Sequence, residues 1–355
     1  MMKIALLHGA YLNSGDFLIL NRTRKLLKHC YPDCIINEYY RNIELDEQLE
    51  EINNNDILIF AGGPAYGNGF YPATAPLVKN LDDIKVPMMM IGLGWWGSDS
   101  YVDTIYSYQF SDEMKKLLNR VTNDSKILGC RDYFSCDVLR NNGYVDVAMT
   151  GCPAWYDIEN VDITKYTGKK IADVDKICIS DCANINNYEN VITLITFIKK
   201  FFGEKDIYYV CHRGYPMPQL GIDKFFEKIG VKMIDISNSA DGFKIYDDCD
   251  LHIGFRVHAH IYNLSKRKLS ILIEEDSRGG GVDQALGLPR ICANNPIISE
   301  NKLHYVSNNK ICYQIEDYLL NLDSNNYIVM ENAYMLMNRY YGEIKKHILS
   351  INKII

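Results

Sequence analysis

Arg256 and His258 are the residues of this sequence whose types and spacing point most directly to chemistry. They stand two residues apart after the apolar run Leu251–Gly254, where a helix is expected to begin. The guanidinium of arginine is a planar fork that binds a carboxylate or a phosphate, and the imidazole of histidine exchanges protons near neutral pH. A lone histidine is usually structural, but this one has an arginine beside it at the end of a buried strand. The pair predicts a site that binds an anion and transfers a proton.

Histidines at positions 252, 258 and 260 also raise the question of a metal site. His252 lies inside the expected strand, and a spacing of two residues turns His258 and His260 away from each other on a helix. We therefore expect no metal.

The 11 cysteines are odd in number and include no C-x-x-C pair, so they indicate free thiols in a reducing compartment.

Two further arginines follow predicted strands. Arg131 comes directly after an apolar run, where a guanidinium is costly unless an anion accompanies it. Asp132, Asp16 and a bound ligand are the candidates for that anion, and the sequence leaves the choice open. Arg278 opens a glycine-rich segment after a later strand, so it is a third candidate for anion binding.

The loops of the first half carry glycine pairs and aromatic residues. Gly62 and Gly63 fit a tight turn after a strand, but no segment matches a dinucleotide fingerprint or a P-loop with its lysine. Neither a nicotinamide cofactor nor ATP is therefore supported. Trp95 and Trp96 follow another strand, where an indole either stacks on a sugar or belongs to the core.

Short apolar runs alternate with helical patterns along nearly the whole chain. The first series of predicted strands is Ile4–Leu7, Ile35–Glu38, Ile57–Phe60, Met88–Ile91, Ile127–Gly129 and Val145–Met149, with helices near 16–29, 44–53, 73–80, 111–121 and 133–141. The second series is Ile177–Ser180, Ile207–Cys211, Lys232–Ile236, Leu251–Gly254 and Leu269–Ile273, with helices near 188–202, 220–229, 241–247, 257–264 and 280–287. Such alternation is typical of βαβ units and parallel sheets that helices cover on both faces.

These elements predict an α/β fold of two Rossmann-like domains, residues 1–156 and 173–322, joined by a polar stretch. A long helical pattern within 323–355 is expected to pack back on the first domain. Ligands of open α/β sheets bind beyond the carboxyl ends of the strands. Arg131, Arg256 and Arg278 all follow predicted strands, so they lie where a site is expected.

The composition excludes several classes of function. The chain has 355 residues with 38 Lys+Arg against 45 Asp+Glu, a net charge of −7, which argues against a nucleic-acid partner. Hydrophobic residues make up 47% and charged residues 23%, as in a globular protein. No apolar window approaches a membrane span, and the apolar run at the start is too short for a signal peptide. We expect a cytoplasmic protein, free or peripheral at the inner membrane face, without stable membrane insertion.

Several short segments, spread over most of the chain, form a pattern in a fixed order. They are Asn13-x-Gly15-Asp16, Gly62-Gly63, Gly92-x-Gly94, Arg131-Asp132-x-x-Ser135, Gly151-x-Pro153-Ala154, Arg256-Val257-His258-Ala259, the Arg278 loop and Leu286-Gly287-Leu288-Pro289. In these segments the sequence resembles the polysaccharide pyruvyl transferase family. Cys152 stands where the family usually has Asp, and Arg278 where it usually has Lys. The second difference keeps the charge, whereas the first removes a carboxylate, so no chemical role is assigned to Cys152.

The resemblance implies two domains that face a cleft, as in GT-B glycosyltransferases. It implies transfer of a pyruvyl group from phosphoenolpyruvate to a sugar of a surface or capsular polysaccharide, or of its precursor, as a cyclic ketal with release of phosphate. The implied catalytic residues are His258, as general acid/base, and Arg256. The implied donor-binding residues are Arg131, Arg256, Val257, His258 and Arg278. The implied acceptor-binding residues of the first domain are Asn13, Asp16, Gly63, Trp95 and Trp96.

The implied partners are phosphoenolpyruvate, as co-substrate, and a saccharide acceptor, and no metal or other cofactor is required. The sequence leaves open the acceptor sugar and its hydroxyls, a lipid linkage on the acceptor, and a homo-oligomeric state.

Two other functions remain open at this point. A GT-B glycosyltransferase would use the same architecture and would bind a uridine or guanosine diphosphate. A non-catalytic carbohydrate-binding relative would keep the fold without the reaction. The Arg256 and His258 pair argues against the second alternative, because a binding module has no need of proton transfer.

Overall fold

Both predicted series of strands are present, and each includes a parallel sheet. The computed structural model describes residues 1–99, 101–215, 221–299 and 302–355. The chain divides into a first unit, Met1–Tyr11, Asp16–Val161 and Leu336–Ile355, and a second unit, Leu12–Gly15 and Asp162–Met335. The α/β fold with parallel sheets is thus confirmed. The two units differ in their limits from the predicted domains, because Leu12–Gly15 and the residues up to Met335 belong to the second unit.

The first unit contains a four-stranded parallel sheet. The strands of this unit, inside and outside that sheet, are β1 (Lys3–His8), β2 (Ile35–Tyr40), β3 (Ile57–Ala61), β4 (Pro64–Tyr66), β5 (Met88–Ile91), β6 (Gly94–Trp95), β7 (Leu128–Cys130) and β8 (Val147–Met149). The central sheet has the order β2-β1-β3-β5, and β4 pairs with β6 and β7 with β8. All residues of β3 and β5 are buried, as expected for parallel strands covered on both faces.

Five helices accompany these strands: α1 (Ser14–Cys30), α2 (Leu49–Asn53), α3 (Val102–Ser107), α4 (Asp112–Ser125) and α5 (Tyr133–Asn141). In α4 the Ser111 hydroxyl accepts a hydrogen bond from the Met114 amide and so caps the first turn. The helix then buries Met114, Leu117, Leu118 and Val121, whose spacing places them on one face.

The helix predicted near 73–80 is absent. An irregular helical turn, Phe70–Thr74, overlaps only the start of this segment, and Leu77 forms a parallel β-bridge with Glu44. Pro76 disfavours a helix here because proline lacks the amide hydrogen and clashes with the preceding turn. The helix predicted near 44–53 is reduced to α2, which follows a short 3₁₀ turn, Asp46–Gln48.

The second unit contains a six-stranded parallel sheet and a hairpin. Its strands are β9 (Lys176–Ser180), β10 (Asp206–Cys211), β11 (Lys232–Asp235), β12 (Leu251–Gly254), β13 (Leu269–Glu274), β14 (Ile291–Cys292), β15 (Asn294–Ser299) and β16 (Lys302–Ser307). The sheet has the order β11-β10-β9-β12-β13-β14, and β15 and β16 form a separate antiparallel pair. Counted within this unit, the order is 3-2-1-4-5-6, the Rossmann order.

The helices of the second unit are α6 (Tyr188–Phe202), α7 (Ile222–Lys228), α8 (Val257–Ser265), α9 (Ser277–Leu286) and α10 (Ile311–Ser324). The segment predicted as a helix near 241–247 forms a 3₁₀ helix, Asp241–Tyr246. Leu12–Gly15 belongs to this unit because the Leu12 carbonyl accepts from the Asn238 amide at 2.8 Å, and the Ser14 amide donates to the His212 carbonyl at 3.0 Å.

The last helix, α11 (Ile328–Leu349), returns to the first unit as predicted. The Tyr340 and Tyr133 hydroxyls lie 3.0 Å apart, and His347 Nε2 lies 2.9 Å from the carbonyl oxygen of Met90 in β5. No helix in the described part of the chain has the length and apolar character needed to cross a membrane.

Candidate active site

The candidate site lies at the centre of the second sheet, where β9 and β12 are neighbours. The chain proceeds from β9 toward one edge and from β12 toward the other, which makes this pair the topological switch point. Ligands of open α/β sheets bind beyond the carboxyl ends of the strands at such a point. β9 ends at Ser180 and is followed directly by Asp181, and β12 ends at Gly254, two residues before Arg256. Both side chains therefore lie at this edge of the sheet.

Arg256 and Asp181 form a two-point ion pair. Arg256 Nε donates to Asp181 Oδ1 at 2.7 Å and Nη2 to Oδ2 at 2.5 Å, while Nη2 also donates to the Cys182 carbonyl at 3.2 Å. Burial opposes the charge of this guanidinium, but the contacts with Asp181 outweigh it and raise the pKa of Arg256. The carboxylate therefore fixes the orientation of the fork, and Nη1 has no hydrogen-bond partner among the described residues.

The backbone at Arg256 is held by the neighbouring strand. The Arg256 amide donates to the Ser180 hydroxyl at 3.0 Å. A Cβ at Gly254 would lie 2.4 Å from that same hydroxyl oxygen, so only glycine lets the two strand ends approach this closely.

A chain of buried polar side chains continues from Ser180 into the core. Its hydroxyl lies 2.9 Å from His252 Nε2, His252 Nδ1 lies 2.7 Å from the Ser270 hydroxyl, and that hydroxyl lies 2.8 Å from His260 Nδ1. His260 Nε2 is 3.1 Å from Asp283 Oδ1, near enough for electrostatic attraction but not aligned as a hydrogen bond. Burial lowers the pKa of His252 and raises that of Asp283 to about 6. We interpret this chain as the support of the loop that carries Arg256.

His258 lies in the first turn of α8 and packs on the segment Leu12–Gly15. A Cβ at Gly15 would lie 2.1 Å from His258 Nδ1 and 2.5 Å from its Cγ. The segment is anchored in turn by the Ser14 hydroxyl, which lies 2.9 Å from His212 Nδ1. The imidazole is half-buried and is therefore held in place while it remains accessible to a ligand.

Arg278 and two more carboxylates complete the group of charges. Arg278 Nε donates to Asp276 Oδ1 at 2.9 Å, and Nη2 donates to Oδ2 at 2.5 Å. Glu275 accepts hydrogen bonds from the Ala183 and Asn184 amides at 2.7 and 3.0 Å. Burial raises the pKa of Glu275, and its charge favours the protonated forms of both Arg256 and Arg278. The site thus contains two guanidiniums, each oriented by a carboxylate.

Arg131 lies in the first unit and has an internal partner. Its Nε donates to Asp132 Oδ2 at 2.8 Å and its Nη2 to the Trp95 carbonyl at 3.0 Å. Asp132 also accepts from the Ser135 amide at 2.8 Å and so caps α5. The sequence offered Asp132, Asp16 and a bound ligand as the anion beside Arg131, and the structure places Asp132 there. Donor binding by Arg131 stays a prediction.

The two tryptophans have opposite environments. Trp95 is only 1% exposed and packs edge-on against Tyr108, with ring centroids 5.5 Å apart. A ring packed in this way presents no face to a sugar, so the stacking role predicted for Trp95 does not fit its burial. Trp96 is 60% exposed and is the indole that remains accessible.

The other predicted acceptor residues are divided between the units. Asp16 lies in the first turn of α1, and Gly63 follows β3 with a φ of +76°, both in the first unit. Asn13 belongs to the second unit. Burial raises the pKa of the Cys152 thiol, which fits the absence of a chemical role for this residue. No three His, Cys, Asp or Glu side chains within the described ranges are grouped as a metal site.

The sequence pattern of the polysaccharide pyruvyl transferase family matches residues 13–277, more than half of the chain. The chain belongs to this family. The match includes the Arg256-Val257-His258 segment and ends one residue before Arg278. The comparison with curated proteins finds no match.

Three solved structures illustrate the similarity of the fold. S. aureus MnaA in a co-structure with UDP has a TM-score of 0.57 and 14% identity over 100% of this chain and 98% of that one. A putative UDP-N-acetylglucosamine 2-epimerase from Listeria monocytogenes has a TM-score of 0.57 and 11% identity over 99% and 96%. The Neisseria meningitidis UDP-GlcNAc 2-epimerase bound to UDP-GlcNAc has a TM-score of 0.54 and 13% identity over 99% and 100%. At such identities the likeness extends to the fold alone.

Sequence reasoning on this pyruvyl transferase family member missed the groups that hold its arginines. Asp181, Glu275 and Asp276 follow β9 and β13 directly, so the rule that singled out Arg256 also applies to them. His212 follows β10 in the same way. The sequence therefore contains the signal that finds them, a charged residue directly after a strand. That they pair with the arginines follows from the strand order, which places β9, β12 and β13 side by side.

Proposed function

We propose that the protein transfers a pyruvyl group from phosphoenolpyruvate to two hydroxyls of a saccharide and releases phosphate. The family is a transferase family that acts on polysaccharides. The observation that carries the proposal is the pairing of an oriented Arg256 fork with an accessible His258 at the switch point of the second sheet. Phosphoenolpyruvate carries a carboxylate and a phosphate, the anions that a guanidinium fork binds best.

The reaction needs one proton delivered to carbon and one attack by each hydroxyl. In the proposed sequence, His258 protonates the methylene carbon of phosphoenolpyruvate, and the first hydroxyl oxygen bonds to the adjacent carbon. The C–O bond to phosphate then breaks, and the second hydroxyl closes the ketal on the same carbon. Of the two hydroxyl protons, one replaces the proton that His258 gave and the other leaves with phosphate. Arg256 and Arg278 are assigned to the donor anion, and no step needs a redox cofactor.

The location of the reaction is part of the proposal. The 11 cysteines include no C-x-x-C pair and are not joined to one another in the structure, a pattern typical of proteins in a reducing compartment. We assign the protein to the cytoplasm, where a polysaccharide precursor, free or lipid-linked, is the acceptor.

The test is phosphate release from phosphoenolpyruvate by the full chain, with galactose, mannose and glucose glycosides as acceptors. The proposal expects release that depends on one acceptor, together with a product that mass spectrometry identifies as its pyruvyl ketal. Stabilisation of the protein against heat by uridine or guanosine diphosphate, with no phosphate release from any acceptor, would instead favour a nucleotide-sugar glycosyltransferase.

Gly15→Ala is expected to lower kcat by about tenfold to a hundredfold, because the added Cβ would displace the imidazole of His258. The KM for phosphoenolpyruvate should change little. Gly342→Ala is the matched control, since it also adds a methyl group within a helix but has nothing within 4 Å of the new Cβ. Equal kcat values for the two variants would show that His258 tolerates the displacement or has no role in turnover.

Trp96→Ala is expected to raise the KM for the acceptor by up to about tenfold, because the lost stacking contact of its exposed indole is worth about 0.5–1.5 kcal/mol. Trp95→Ala should instead destabilise the fold by about 3–5 kcal/mol, because its ring is buried in the core. Acceptor KM and thermal unfolding, measured on both variants, check the assignment. An unchanged acceptor KM in Trp96→Ala would remove this residue from the acceptor site.

A further inference from the structure

The chain of buried polar side chains behind Arg256 ends in a carboxylate. Asp283 lies buried in α9, and neither of its carboxylate oxygens has an aligned hydrogen bond within the described residues. His260 Nε2 faces this carboxylate, 3.1 Å from Asp283 Oδ1. At the opposite end, the Arg256 amide donates to the Ser180 hydroxyl at 3.0 Å. One end of the chain can therefore only donate, and the other end, when it is ionised, can only accept.

The Arg256 end determines the tautomer of His252. The Ser180 oxygen accepts from the Arg256 amide, and its second partner among the described residues is His252 Nε2 at 2.9 Å. If His252 Nε2 carried a proton, both partners would donate to Ser180, and the hydroxyl hydrogen would stay buried without an acceptor. Because such a hydrogen is costly, the Ser180 hydroxyl donates to His252 Nε2, and the proton of this ring lies on Nδ1. Burial lowers the pKa of His252 and so favours the neutral ring that this arrangement needs.

The same direction continues through Ser270. Its hydroxyl lies 2.7 Å from His252 Nδ1 and 2.8 Å from His260 Nδ1. A hydroxyl group has a single hydrogen, so when it accepts from His252 Nδ1 it donates to His260 Nδ1. A neutral His260 ring then carries its proton on Nε2, the nitrogen that faces Asp283.

The Asp283 end requires the same tautomer of His260. A lone pair on His260 Nε2 would face the negative charge of the carboxylate, whereas an N–H group is attracted to it. Burial raises the pKa of Asp283 to about 6, and Glu274 acts in the same sense, while His260 and Arg290 favour the ionised form. The carboxyl group is thus ionised above neutral pH. Both ends of the chain therefore favour one and the same direction for all its hydrogens.

We propose that Asp283 is a positioning residue for Arg256, acting through the tautomers of His260 and His252. With Asp283 as the final acceptor, every hydrogen of the chain points from Arg256 toward α9, and the Ser180 oxygen stays available to the Arg256 amide. The chain thus fixes the backbone of Arg256, while the two-point carboxylate contact fixes its guanidinium. The inference deepens the proposed function, on which it rests for the role of Arg256 in donor binding.

The first measurement is the tautomer of each buried ring, from the nitrogen-15 resonances of the full chain above neutral pH. His252 should carry its proton on Nδ1 and His260 on Nε2. Asp283→Asn should keep both tautomers, since the amide oxygen still accepts. Asp283→Leu should give mixed tautomers, because either direction of the chain then leaves one hydrogen without an acceptor. Reversed or mixed tautomers in the native chain would overturn the proposal, and this result needs no variant.

The second measurement is the effect of Asp283 on Arg256 itself. Hydrogen exchange of the Arg256 amide, relative to the amides of β12, should accelerate by about three- to tenfold in Asp283→Leu, the range for one net hydrogen bond. The dissociation constant of phosphoenolpyruvate, measured by calorimetry, should rise by a similar factor. Asp283→Asn should keep both values close to native. A general loss of stability would accelerate exchange in β12 as well, so the ratio reports the local effect.

Asn263→Leu is the matched control. Asn263 is buried on α8, one turn after His260, and its Nδ2 donates to the Ala259 carbonyl at 2.8 Å, outside the chain of hydrogen bonds that leads to Arg256. The variant removes a buried polar side chain from the same helix. It should leave the tautomers, the exchange ratio and the dissociation constant unchanged.

The proposal is overturned if Asp283→Leu leaves the tautomers and the exchange ratio at their native values, or if Asn263→Leu changes them equally. Should Asp283→Leu not fold, Ser270→Ala interrupts the chain at its centre, and an unchanged exchange ratio in that variant decides against the proposal. A native chain that does not bind phosphoenolpyruvate, but whose Arg256 exchange still depends on Asp283, would support the positioning role and contradict the proposed reaction. The two failures are therefore distinguishable.

Discussion

Replacing His258 by alanine is expected to lower kcat by about two to four orders of magnitude while the KM for phosphoenolpyruvate changes little. The physical reason is that general acid/base catalysis acts in the transition state, whereas the donor anion is held by the neighbouring arginines. The imidazole is half-buried in the first turn of α8 and packs on Gly15, so its position is fixed. Steady-state kinetics with phosphoenolpyruvate as the varied substrate measures both constants.

His29→Ala is the matched control for this variant. His29 is exposed on α1 in the first unit, so its loss removes an imidazole without touching the candidate site. Its kcat should equal that of the native protein. If His258 only packs on its helix, the His258→Ala protein will unfold at a lower temperature but turn over normally per folded molecule. Such a result would reject the proton-transfer role.

The core strands of both sheets could be predicted from the sequence because they are buried on both faces. Met88–Ile91 is an unbroken apolar run, and Leu251–Gly254 combines apolar and small residues with the buried His252. The structure gives β5 and β12 the same limits. Arg256 and His258 could be found for the same reason, since they follow a strand whose end is sharply defined. When the end of a strand is clear in the sequence, the candidate site residues that follow it can be identified as well.

The end of β2 was predicted less well, because this strand is not bounded in this way. The prediction ended the strand at Glu38, but it continues through Tyr39 and Tyr40. Pairing with β1 supports this extension, since Leu7 and His8 are in register with Tyr39 and Tyr40. Tertiary pairing of this kind leaves no local signal in the sequence.

The tryptophan pair illustrates a different limit. Successive residues of an extended chain point to opposite faces, so one of two adjacent indoles must turn inward. The structure turns Trp95 inward as the last residue of β6 and leaves Trp96 exposed. The sequence analysis assigned both indoles to the acceptor, because the pairing of β6 with β4, which turns Trp95 inward, leaves no local signal in the sequence.

Arg256→Ala is expected to weaken donor binding by about 1.5–3 kcal/mol, the range for hydrogen bonds to charged groups. The KM for phosphoenolpyruvate should rise by roughly ten- to a hundredfold, with a smaller effect on kcat than in His258→Ala. The variant should also unfold more easily, because Asp181 would be left as a buried carboxylate without its cation. A higher KM in Arg256→Ala could therefore result from the destabilised fold as well as from the lost contact with the donor. The two causes are separated by restoring the stability of the variant.

A second substitution separates the two effects. In Arg256→Ala with Asp181→Asn, the uncompensated charge is gone, and the asparagine carbonyl can still accept from the His212 amide, which lies 3.2 Å from Asp181 Oδ1. The double variant should recover stability but not donor affinity. Arg290→Ala provides the comparison, because it breaks a similar two-point pair with Glu274 in the same unit. It should lower the unfolding temperature without changing donor affinity. If the double variant bound phosphoenolpyruvate as tightly as the native protein, Arg256 would serve only to neutralise Asp181, and the donor anion would have to be bound elsewhere.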